Sequence, residues 1–160
     1  MGEILIRGTA IMAVGCYSAR MLMDLGGKTD DCQRAARWFW TVGCIGMIVH
    51  VACAFHFQHG WSHAAAWEHT RQRTLELTGW NSGAGLYFNE AMTVLWLVDV
   101  VGWWKILDWP RRQRVWFWIV QCVFAFMMVN ATAVFGPGYW RVVAVAFVGA
   151  LVWGRFAARR

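Results

Sequence analysis

Charge is scarce along this chain. Only 15% of its 160 residues are Asp, Glu, Lys or Arg, against about 25% in an ordinary soluble domain. With 59% hydrophobic residues and thirteen Trp, an ordinary soluble fold is excluded, because so much apolar surface would stand in water as large patches. Also missing is any CxxC pair. Cys16, Cys44, Cys53 and Cys122 lie in apolar runs and Cys32 in a connector. A thiol in an apolar run acts as a small hydrophobe, so neither a thiol redox motif nor a thiolate zinc site is expected. There is no internal repeat and no low-complexity tail. No basic stretch precedes the first apolar run, so that run reads as a retained span rather than a cleaved signal.

The net charge of +6 would point to nucleic acid in a soluble protein. No DNA- or RNA-binding motif accompanies it, and the basic residues sit in short connectors between apolar runs. No nucleic-acid partner is expected. The expected partner is the lipid bilayer.

A helix needs about 20 residues to cross the hydrocarbon core. Five runs qualify, at about 4–25, 38–57, 86–104, 115–135 and 139–156. "FGPGYW" (135–140) reads as a tight turn between the last two. The expected fold is therefore all-α: a single domain over 1–160, a bundle of about five transmembrane helices. Eleven of the fifteen basic residues fall on one side of such a bundle. The positive-inside rule makes that side cytoplasmic, with the N-terminus out, the C-terminus in and the connector 58–85 outside. The expected location is a bacterial inner (cytoplasmic) membrane. Most Trp residues, among them Trp38, Trp40, Trp103, Trp109, Trp116 and Trp80, are expected in belts at headgroup depth. Within the outer connector, "SHAAAWEHTRQRTLEL" (62–77) is rich in helix formers. A short surface helix with Ser62 as N-cap is expected there, followed by a Gly-rich turn over 78–85.

All five histidines fall in "HVACAFHFQHGWSHAAAWEH" (50–69). On one continuous helix, His56, His59 and His63 would lie within about 60° of one another. If Gly60 and Trp61 break that helix, the face becomes an elbow, which could still converge on a metal. His50 points elsewhere on the wheel and lies deeper. At 1.5 Å per residue it stands about 18 Å above the inner interface, level with Met127 and Met128 at about 17–18 Å. Glu90 enters from the third run near the level of His56, with Asn89 beside it and Asn130 in the same outer half. His50, His56, His59, Asn89, Glu90 and Asn130 are expected to share one outward-facing pocket. His69 falls off the three-His face and is left out of the site. Asp99 lies deeper, with Arg20 as the expected partner in a structural pair, since intramembrane charges commonly pair with each other.

Three ligand chemistries fit. Zinc takes three imidazoles, or two and a carboxylate, which His56, His59, His63 and Glu90 supply. Copper takes imidazole with thioether, which His50 supplies with Met127 or Met128. A haem held by two histidines of different spans is excluded, because only the second span contains histidine; a His/Met pair or a loop histidine folding back remains. The plainer use of such histidines is hydrogen bonding to loop carbonyls or to Glu90 with no ion at all. The function expected first is a small membrane protein with an outward-facing His/Glu pocket that binds metal or haem for redox or metal handling. The alternatives are a non-catalytic subunit of a larger membrane complex, and a component of a proton or solute pathway through Glu90 and Asp99.

Overall fold

The structure is a computed structural model that describes residues 1–26, 29–136 and 138–157. Among the described residues it is entirely helical, with no strand. Helix α1 spans Gly2–Gly26, α2 Asp30–Phe57, α3 His63–Thr78, α4 Gly85–Lys105, α5 Trp109–Arg112, α6 Arg114–Val129 and α7 Gly138–Ala157. A π-helical segment, Asn130–Val134, continues α6. Helices α1, α2, α4, α6 and α7 stand at the five expected runs, and α3 is the expected short helix.

Helix starts and stops follow local chemistry. Thr29 caps α2 by accepting from the Cys32 N–H at 3.4 Å, with Asp30 and Asp31 in the first turn, where carboxylates complement the helix dipole. Those polar turns lengthen α2 by eight residues ahead of its apolar run. It ends at Phe57, where Gly60 and Trp61 take positive φ angles of 55° and 61°. Such a φ strains a bulky side chain, at a cost of about 1–3 kcal/mol. The bend is held by the Trp61 N–H, which donates to the Phe55 carbonyl at 3.0 Å. Ser62 then caps α3 by accepting from the Ala65 N–H at 3.2 Å, and Gly79, at φ 75°, closes it in the left-handed conformation.

Helices α1 and α2 pack antiparallel along their length, the most extensive pairing in the chain. Gly43 and Gly46 permit the approach. A Cβ on Gly43 would stand 3.0 Å from the Cys16 Cβ and 2.7 Å from the Trp96 ring; one on Gly46 would meet the Met12 Cε at 2.7 Å. Helix α4 lies against α2, and α6 against α4. The core between them is aromatic: Tyr17, Trp40, Trp96, Trp103 and Phe124 are all buried. Trp40, Trp96 and Phe124 meet with ring centroids 4.7–4.9 Å apart.

The outside is apolar as well. Val94, Val98 and Val101 on α4, Val115 and Trp118 on α6, and Val142, Val145 and Val148 on α7 are exposed. Two helices, Asp30–Phe57 and Arg114–Thr132, are long and apolar enough to cross a membrane. Helix α4 is diluted by Asn89, Glu90 and Asp99.

Candidate functional site

The polar residues gather at two levels of the bundle. One is centred on Asp99, 5% exposed. Its carboxylate accepts three indole N–H bonds. Trp40 donates to Oδ2 at 2.9 Å, and Trp109 and Trp116 donate to Oδ1 at 3.0 and 2.6 Å. Four elements meet there: α2, α4, α5 and α6. An ionised carboxylate offers about four acceptor positions, so three donors nearly saturate it. Gly102 allows the closure, since a Cβ there would lie 2.6 Å from the Trp109 ring.

The expected Arg20–Asp99 pair does not form. Arg20, 1% exposed, reaches along its own helix to Asp24 at 3.2 Å. Its guanidinium lies over aromatic rings, 5.0 Å from the Trp40 centroid and 5.5 Å from those of Trp103 and Phe117. Trp40 intervenes: its face meets the cation and its N–H edge meets the carboxylate. An indole has a negative face and a positive edge, so one ring serves both charges. The belt expectation is corrected at the same place. Trp40 and Trp103 are interior residues, while Trp38, Trp61, Trp80, Trp104 and Trp118 are exposed. The sequence signal was available in Trp40, Trp109 and Trp116, which lie at or beside the inner ends of their apolar runs, the level of Asp99.

The second level lies under α3. The elbow divides the expected three-His face. His63 Nε2 donates to Glu90 Oε1 at 2.9 Å, tying α3 to α4. His59 instead meets His69 edge to face, with ring centroids 5.2 Å apart. Burial, and secondarily the charge of His69, lowers the His59 pKa below its usual value. His56 is exposed beside Phe57 and Trp61. Among the described residues, no group of three or more His, Cys, Asp or Glu is placed to hold a metal ion. Helix α3 is itself fixed by Arg71, which grips Glu68 through two bonds of 2.6 and 2.8 Å and also donates to Asn81 in the following turn. Those bonds hold the Glu68 carboxyl down at about 2 and raise the Arg71 pKa.

Between the two levels lies a cavity of about 810 Å³. Its walls come from α1, α2, α4, α6 and the π segment, and it is roofed by α3 and the turn after it. His50, Met127 and Met128, singled out in the sequence for their equal depth, all line it, as do Asn89 and Asn130. His56, His59, His63 and Glu90 do not, so the expected shared pocket is corrected to this smaller set. His69, left out of the expected site, stands at its α3 side together with Arg73. The His50 ring is oriented by α1. Its Nδ1 lies 2.9 Å from the Ile6 carbonyl oxygen. A carbonyl only accepts, so Nδ1 carries a proton and donates, which leaves Nε2 as the ring nitrogen available to a ligand.

No protein-family model, no curated protein and no solved structure matches the chain.

Proposed function

We propose that the chain is an integral membrane protein, one bundle of five transmembrane helices with its N-terminus outside, whose cavity binds a largely apolar small molecule against His50. The membrane reading is supported by the bare apolar surface. Only 28% of the apolar window of Asp30–Phe57 is buried within the chain, and 17% of that of Arg114–Thr132. A core helix of a soluble protein would be mostly covered. Exposed valine rows on α4 and α7 need lipid or a protein partner against them. The basic residues of the connectors set the orientation.

The observation that carries the ligand reading is the cavity itself. Its 810 Å³ falls within the range of about 300–1,000 Å³ usual for small-molecule sites. Its lining is apolar along the helices, with a few polar groups at the α3 end. That division suits a molecule with an apolar body and a polar edge.

The test is extraction. Protein purified in mild detergent is stripped with organic solvent, and the extract is examined by absorption and mass spectrometry. An apolar molecule is expected at about one per chain. Ala10→Phe, which projects a ring from the α1 wall, should exclude it. An extract that is the same for both proteins would sink the reading.

A further inference from the structure

We infer that the molecule held in this cavity is an iron porphyrin, with His50 as an axial ligand to the iron; this rests on the cavity reading above and deepens it. His50 has the form that iron requires. Its Nδ1–H is held by the Ile6 carbonyl at 2.9 Å, so Nε2 is the ring nitrogen available to a metal. A ring N–H anchored to a backbone carbonyl is the usual support of a metal-bound imidazole. The Thr9 hydroxyl, 3.5 Å from Nδ1, does not compete, because it donates to the Leu5 carbonyl at 2.7 Å.

The rest of the lining fits the same group. Met127 and Met128 bring thioethers to the cavity from α6, and His with Met is a known axial pair for haem iron. Val14, Met92, Trp96 and Phe124 offer the macrocycle apolar walls without charge. A porphyrin's carboxylates need a polar, cationic exit, and Arg73 with His69 stands at the α3 end. Arg73 bonds Glu76 at 3.2 Å with half its side chain exposed, so it is free to turn toward a carboxylate. A quinol would also use His50 Nε2, by donating its hydroxyl, but it takes nothing from the two thioethers beyond their packing against the core.

The experiment is a titration of the purified full chain in detergent with hemin. A saturable Soret band at one hemin per chain is expected, well above that in protein-free micelles. His50→Ala should weaken binding at least tenfold. Met127→Leu and Met128→Leu keep the cavity volume, so both should fold, and one of them should turn a low-spin spectrum into a high-spin one. Arg73→Gln should weaken binding a few-fold without changing the spectrum. Hemin uptake no greater than in empty micelles would overturn the proposal. So would a folded His50→Ala protein that binds like wild type, or two Leu variants with unchanged spectra. A different apolar molecule in the solvent extract, with no hemin binding, would overturn the porphyrin alone and leave the cavity reading standing.

Discussion

Asp99 and Glu90 sit nine residues apart on α4, about 13 Å along its axis. Asp99 is 5% exposed and takes three indole donors from three other elements. Glu90 takes a single imidazole, and its side chain is 36% exposed. At the Asp99 level the polar groups are fixed by packing from every side. Under α3 they are paired two by two, around an elbow, beside a cavity. The contrast separates a packed structural knot from a loosely tied end of the bundle beside the cavity. A buried carboxylate is tolerated only when its acceptor sites are filled. An exposed one can be rearranged at little cost, because water replaces the lost partner.

The largest effect should come from untying the knot. Asp99→Ala leaves three indole N–H groups facing an apolar core. It should cost on the order of 3–5 kcal/mol, the range for removing one member of a buried charged network. Melting of the detergent-solubilised protein, followed by Trp fluorescence, reads this directly. Asp99→Asn keeps one acceptor oxygen and should fall between. An Asp99→Ala protein that melts with the wild type would erase the contrast.

Next come the glycines that let α1, α2 and α4 approach. Gly43→Ala drives a methyl against the Trp96 ring and the Cys16 Cβ, and overpacking of this kind costs about 1–3 kcal/mol. Gly46→Ala meets only the flexible end of Met12 and should cost clearly less. The order of the two melting temperatures checks the assignment; the reverse order would show that the tight point lies elsewhere.

The α3 level should be forgiving. His63→Ala removes the bond to Glu90, but both side chains are more than a third exposed. The loss should stay below about 1 kcal/mol, with hemin affinity nearly unchanged. A large loss of stability would make His63–Glu90 a second knot.

The smallest effect is a pH dependence. His59 has a lowered pKa in the folded chain, so below its unfolded value of about 6.5 the unfolded chain binds more protons. Stability should therefore fall as pH drops from 7.5 to 5.5, and fall less in His59→Gln. An identical decline in both proteins would show that another group titrates.

Much of this arrangement was legible one residue at a time. Apolar runs gave the five long helices, because a helix's burial pattern is local in the chain. Ser62 and the Gly60–Trp61 elbow followed from cap and turn chemistry. His50, Met127 and Met128, which the helical rise sets at one expected depth, line the same cavity. The elbow was legible, but which partner each histidine takes beyond it was not, because the wheel describes only a continuous helix. Once Trp61 takes a positive φ, angles no longer carry across it. Short α5 was also unforeseen: its four residues, Trp109–Arg112, are too few to leave a periodic signal.

The sequence by itself determined that the described residues are helical, the order of the five long helices and α3, and the crowding of all five histidines into one stretch. Those properties depend on spacing and composition, which act within about a turn or two of helix. Only the tertiary structure decided partners. It sent Arg20 to Asp24 and onto Trp40, gave Asp99 three indoles, and turned the His50 Nδ1 to the Ile6 carbonyl. Each choice compares neighbours supplied by different helices, where a few tenths of an ångström in packing settle which donor reaches which acceptor.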